Sequence, residues 1–159
     1  MNESKVQIND LSKRVLLLHG PNLNLLGERE PAKYGTTTLA EVEALVTEEA
    51  KKNGFEVDCF QSNHEGDLID KIHEYRHSAG IILNPGALVH YSIAIYDAIA
   101  IGPAPTVEIH ITNLHNREPW RAHSAISGNT AGYISGFGIP GYKLAVLAVA
   151  ELFAKRAAS

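Results

Sequence analysis

Short apolar runs and amphipathic stretches alternate along this chain almost to its end, and that alternation leaves few folds open. Strand-like segments fall at residues 14–19, 55–61, 80–84, 106–109 and 132–135. Helical patterns at residues 38–53, 66–77, 92–101 and 142–156 lie between and after them. The first helix puts Leu39, Val42, Leu45 and Val46 on one face and stops at Gly54; the second buries Leu68, Ile69 and Ile72. In the second strand Phe55, Val57, Cys59 and Gln61 alternate with Glu56, Asp58 and Phe60. The run Ile81-Ile82-Leu83 is continuously apolar, as a central parallel strand is. Such alternation predicts an α/β, flavodoxin-like domain: a five-stranded parallel sheet, order 2-1-3-4-5, with helices on both faces.

The 159 residues suffice for one domain with a full core, expected over residues 13–159. Residues 1–12 are polar and of mixed charge, so they read as a frayed or loosely attached extension rather than a signal peptide. A net charge of −4 argues against a general nucleic-acid binder. No apolar run approaches the ~18 residues of a membrane span. The single cysteine, Cys59, has no partner within the chain, which fits a reducing, cytoplasmic location. In the third helix Ile93, Ala94, Ile95, Ala98, Ile99 and Ile101 surround most of the circumference, and the last helix is apolar on two faces. A helix apolar on nearly all sides is buried on nearly all sides, which in so small a domain predicts a subunit interface.

Between the first strand and first helix lies an unusually long connection, His19 through Gly35, where about 2–6 residues are usual. Loops of this length in compact domains are surface excursions or binding lids, and the chemistry favours a lid: Asn22 and Asn24, then Arg29 five residues before Tyr34. Ligands of open α/β sheets bind beyond the carboxyl ends of the strands at the switch in strand order, here between strands one and three. Asn84-Pro85-Gly86 and His90 follow strand three; Glu108, His110, Thr112, Asn113, His115, Arg117 and Arg121 gather at and after strand four. Each group also has a plain structural reading. Asn84-Pro85 makes a good turn before a helix. Glu108 and His110, two apart and on one face, suit either a general acid oriented by a carboxylate or a surface ion pair. Arg117 and Arg121 fit solvated loop charges, and residues 113–116 fit a turn. The segment Gly136-Phe137-Gly138-Ile139-Pro140-Gly141 matches the spaced-glycine pattern of dinucleotide sites, but it follows the last strand and lacks an acidic residue on a later one, so a structural turn is expected. The eight histidines show no regular metal-ligand spacing, and no metal site is expected.

Four motifs, in order, give the chain a resemblance to type II 3-dehydroquinate dehydratases over nearly its whole length. They are Gly20-Pro21-Asn22-Leu23-Asn24-Leu25-Leu26-Gly27 with Arg29-Glu30-Pro31 and Tyr34-Gly35; Leu83-Asn84-Pro85-Gly86 with His90; Glu108-Ile109-His110-Ile111-Thr112-Asn113; and Arg117-Glu118 through Arg121-Ala122-His123-Ser124. The resemblance implies dehydration of 3-dehydroquinate to 3-dehydroshikimate by anti elimination through an enolate, in the shikimate pathway or in quinate breakdown. It implies no cofactor, no metal and no imine-forming lysine. Tyr34 would remove the C2 proton with Arg29 favouring its phenolate, Asn22 would hold a water that stabilises the enolate, and His110, oriented by Glu108, would protonate the departing C1 hydroxyl. Asn84, His90 and Arg121 would hold ring hydroxyls. The N–H groups of Ile111 and Thr112, with the Thr112 hydroxyl, would bind the carboxylate. Asp97 would reach a neighbouring subunit's site in a dodecamer built as a tetramer of trimers. Two positions depart from the common pattern: Thr112 stands where many members have Ser, and Tyr96 where an Arg is frequent.

Two rivals remain to be set against this reading. A non-enzymatic flavodoxin-like domain, such as a receiver, needs acidic residues after strand one and an Asp after strand three, where this chain has Gly-Pro-Asn and Asn-Pro-Gly. A degenerate member kept only for assembly is disfavoured because Tyr34, Arg29, His110 and Glu108 are all present.

Overall fold

The computed structural model describes residues 10–159. Of the extension expected over residues 1–12, residues 1–9 lie outside the described residues. Asp10 caps a 3-10 turn at Leu11–Lys13, and Leu11 packs against the core. That turn feeds β1 (Arg14–His19), followed by α1 (Pro31–Tyr34), α2 (Leu39–Lys52), β2 (Glu56–Gln61) and α3 (Glu65–Glu74). The chain continues through β3 (Gly80–Asn84), α4 (Ile93–Ile99), β4 (Thr106–His110), β5 (Gly132–Ser135) and α5 (Pro140–Ala157). All five strands pair in parallel in the order β2-β1-β3-β4-β5, as the alternating pattern predicts.

Each face of the sheet carries its own apolar layer. Val15, Leu17, Ile82, Val107 and Ile109 pack under α2 and α5 with Val42, Val46, Tyr142, Val146 and Val149. Leu16, Leu18, Ile81 and Leu83 pack under α3 and α4 with Leu68, Ile72, Ile95 and Ile99. Because β1 and β3 are covered on both sides, they read as continuous apolar runs rather than alternations. α2 begins with a reciprocal cap, the Thr38 hydroxyl accepting from the Glu41 N–H and the Glu41 carboxylate from the Thr38 N–H.

Two sequence expectations shift. The second helix ends at Glu74, short of residue 77, because Tyr75 reaches across to the Asp58 carboxylate (2.8 Å) and the Ala79 N–H bonds the Arg14 carbonyl, so the chain must leave the helix to enter β3. The all-round burial expected for the third helix is not met within one chain: Ile95, Ala98 and Ile99 are buried, whereas Ile93 is 61% and Ile101 60% exposed. Leu144 and Leu147 on α5 also face outward.

The sheet's carboxyl edge is drawn together at one point. The Gly20 N–H donates to the Asn84 carbonyl (2.7 Å), and a side chain at Gly20 would collide with the Pro85 carbonyl. Only glycine allows this approach, which brings the loops after β1 and β3 against each other.

Candidate active site

At that edge the loops after β1, β3 and β4 line a single crevice. Asn22 and Leu23 line it from the first loop, Arg29 and Tyr34 from the lid, Asn84, Gly86 and His90 from the segment after β3, and His110, Ile111, Thr112, Arg117 and Arg121 from β4 onward. The lid is not an irregular strand-to-helix excursion. It contains a 3-10 turn at Leu23–Leu25 and the single-turn helix α1, whose last residue is Tyr34. Asn22 and Glu30 both hold left-handed backbone, with φ of 69° and 40°. Asn adopts that region with little penalty, but Glu does so under strain, which is a common property of functional loops.

Tyr34 meets two guanidinium groups in different ways. Arg117 Nη1 donates to its hydroxyl at 3.0 Å and to the Thr112 hydroxyl at 3.3 Å. The Arg29 carbon Cζ lies 5.2 Å from the ring centroid, and its Nε lies 3.8 Å from the Glu30 carboxylate. Arg29 therefore reaches the ring, while Arg117, which sequence reasoning left among loop charges, reaches the oxygen. Only proximity in the fold reveals this, since 83 residues separate Arg117 from Tyr34.

His110 ends β4, one residue beyond the expected strand. Its Nε2 lies 2.6 Å from Glu108 Oε1, and Glu108 has no exposed surface. With the Glu108 carboxyl group taken up by Nε2, Nδ1 is the ring nitrogen left for a ligand. The Ser124 and Ser127 hydroxyls also donate to Glu108. Of the two readings open for the Glu108 and His110 pair, the buried dyad replaces the surface ion pair.

Asn84 ends β3 with both ends of its carboxamide engaged. Its Oδ1 accepts from the Gly86 N–H at 3.2 Å, and its Nδ2 donates to the Tyr142 hydroxyl at 2.9 Å. Tyr142 is fully buried in α5, and burial pushes its phenol up to about 12, so it stays neutral. His90 donates Nδ1–H to the His123 carbonyl at 2.8 Å, and burial lowers its pKa, with Arg121, His110 and Arg117 adding to the effect against that bond. The neutral ring then offers Nε2 as an acceptor. Arg121 is braced by the Glu118 carboxylate at 2.9 Å and stacks on Trp120. Asp97 does not line this crevice; it is exposed on α4.

Among the described residues, no cluster of three or more His, Cys, Asp or Glu side chains could hold a metal ion, and no helix is long and apolar enough to cross a membrane. The spaced-glycine segment is the turn from β5 into α5. At Gly136, where φ is 94°, a side chain would come within 2.8 Å of Asn113 Cβ, so the loop is closed against protein rather than open to a phosphate. Asn113 caps the expected turn at Leu114–Asn116.

A parallel flavodoxin-like sheet carries at its strand-order switch a lid, a guanidinium-bound phenol and a carboxylate-backed imidazole, the polar crevice of an α/β enzyme. Residues 13–150 match the family described as Dehydroquinase class II. The chain belongs to that family. It is 55% identical over 140 residues to a 3-dehydroquinate dehydratase of Bacillus cereus, spanning 87% of this chain and 96% of the relative. It is 52% identical over 149 residues to "Catabolic 3-dehydroquinase 1" of Aspergillus fumigatus, spanning 93% and 99%. The crystal structure of a type II dehydroquinase from Propionibacterium acnes superposes with a TM-score of 0.84 at 40% identity, covering 89% of this chain and 98% of that one.

Proposed function

We propose that this chain removes water from 3-dehydroquinate to give 3-dehydroshikimate by anti elimination through an enolate. One observation carries the reading: a single crevice presents a phenol bound by Arg117 and an imidazole backed by the buried Glu108. Abstraction of a proton alpha to a ketone needs a base, and a phenol serves near neutrality when cations favour its anion. Tyr34 takes the C2 proton while Arg117 bonds its oxygen and Arg29 lies along its ring. The electron pair moves into the carbonyl to form the enolate, which a water held by Asn22 stabilises. The enolate collapses, the C1–O bond breaks, and His110 delivers the proton that turns the departing hydroxyl into water. Asn84, the His90 acceptor and Arg121 hold the ring hydroxyls. The Ile111 and Thr112 N–H groups with the Thr112 hydroxyl take the carboxylate. No cofactor or metal enters these steps.

We place the activity in the shikimate pathway of a cytoplasmic, dodecameric enzyme, four trimers in which Asp97 approaches a neighbour's crevice. Exposed Ile93 on Asp97's own helix, with exposed Ile101 just beyond its end, supports that assembly. A second reading, quinate breakdown through the same reaction, is favoured by the similarity to the fungal relative named as catabolic.

The test is the rise in ultraviolet absorbance as 3-dehydroshikimate forms, with borohydride and chelator controls. Turnover insensitive to both controls is expected, and Tyr34→Phe should lower kcat by about 10³-fold, within the range for loss of a positioned base. Near-normal turnover by Tyr34→Phe would remove the phenol from the mechanism.

A further inference from the structure

We infer that Ser127, with Ser124, is a positioning residue for the dehydration, acting on His110 through Glu108; this rests on the reaction proposed above. Glu108 is a fully buried carboxylate, and an anion in such a place is stable only when its lone pairs are met. Among the described residues no Lys or Arg pairs with it, and its one titratable partner is His110, at 2.6 Å from Oε1. The remaining donors are neutral. Ser127 Oγ donates to Oε2 at 2.8 Å, and Ser124 Oγ lies 3.1 Å from Oε1 and 3.3 Å from Oε2.

The difference between a hydroxyl and a guanidinium matters here. A fixed cation would hold the carboxylate but draw its charge away from the imidazole. Two hydroxyls fix the carboxylate's plane while leaving its charge for His110. Without Ser127 the Oε2 oxygen keeps only the longer contact from Ser124, so the carboxylate plane, and with it the contact to His110 Nε2, is held less firmly. Neither serine lines the crevice, so both act at one remove from substrate.

The two serines are separable by experiment. Ser124 Oγ also accepts from the Ile126 and Ser127 N–H groups, so it shapes the 3-10 turn at Ser127–Asn129 as well. Among the described residues Ser127 Oγ bonds Glu108 alone, which makes Ser127→Ala the cleaner probe.

Ser127→Ala should lower kcat about tenfold, the worth of one hydrogen bond to a charged group, with KM for 3-dehydroquinate changed less than twofold and the melting temperature lowered by a few degrees as the buried carboxylate loses a donor. Ser127→Thr, which keeps the hydroxyl, should restore kcat. In the substrate-free enzyme the downfield proton resonance of the His110 Nε2–H should shift or broaden in Ser127→Ala and return in Ser127→Thr. Unchanged kcat and an unchanged resonance in Ser127→Ala would overturn the inference. So would a parallel loss in kcat, KM and stability that Thr does not restore. If the wild-type enzyme does not turn over 3-dehydroquinate, the reaction fails as a reading, and the resonance alone still decides whether Ser127 positions the dyad.

Discussion

His19 is the residue whose surroundings depart furthest from what its side chain prefers. It ends β1 with no exposed surface, and among the described residues neither ring nitrogen has a hydrogen-bond partner. The Glu43 carboxylate lies 3.7 Å from Nε2, yet burial pushes both groups toward their neutral forms, His19 down to about 4 and Glu43 upward. The contact is therefore a neutral ring facing a carboxyl group, not an ion pair. The sign of the linkage follows. Between about 4 and the ordinary histidine value of 6.5 the unfolded chain binds a proton that the folded chain does not, so stability rises with pH across that window. Acidification from above pH 6.5 to 4 should cost on the order of 3 kcal/mol through this one side chain. Urea midpoints at pH 7.5 and pH 5 should diverge in the wild type and converge in His19→Leu. An equal acid slope in both proteins would show that other groups carry it.

At the scale of elements, the ends of helices and strands do most of the positioning. Tyr34 ends α1, Asn84 ends β3 and His110 ends β4, so each side chain inherits its aim from a regular segment. The Thr38 and Glu41 caps fix where α2 begins, immediately after the lid. Thr38→Ala should cost about 1 kcal/mol by thermal or urea unfolding, the usual worth of an N-cap. It should also loosen the lid's return, readable as faster amide exchange in residues 31–38; unchanged exchange would separate the cap from the lid. Much of this was legible in the sequence. β1, β3 and β5 have the expected bounds because apolar runs closed by polar or glycine residues mark them on both sides. α3 could not be bounded because Tyr75, the residue that ends it, does so by reaching Asp58 on another element. The site divides the same way. The dyad and the lid's phenol are visible as local motifs. Arg117 on Tyr34, Ser127 on Glu108 and Tyr142 on Asn84 are contacts between distant segments, and a single sequence carries no mark of which polar residue will meet which.

For the molecule as a whole, one surface remains unexplained by a single chain. Tyr91 is 66% exposed, with Ile93 and Ile101 at similar values, although Ile95, Ala98 and Ile99 of the helix between them are packed into the core. At about 25 cal/mol per Å² of apolar area removed from water, covering such a patch stabilises an assembly appreciably. Light scattering should find a mass far above the 17.3 kDa of one chain, and Ile93→Asp should lower both that mass and the turnover, since Asp97 lies on the same helix. A fully active wild-type monomer would sink the assembly and the role of Asp97 together.

The bond from Asn84 to Tyr142 joins residues 58 apart, and no residue of α5 lines the crevice it helps to complete. As the chain is synthesised, the lid, its phenol and the imidazole dyad all emerge before Tyr142 does. A nascent or truncated chain lacking the last helix would hold every residue that lines the crevice and still lack the partner that fixes Asn84. Completion of the site therefore coincides with the docking of α5, the same event that covers one face of the sheet.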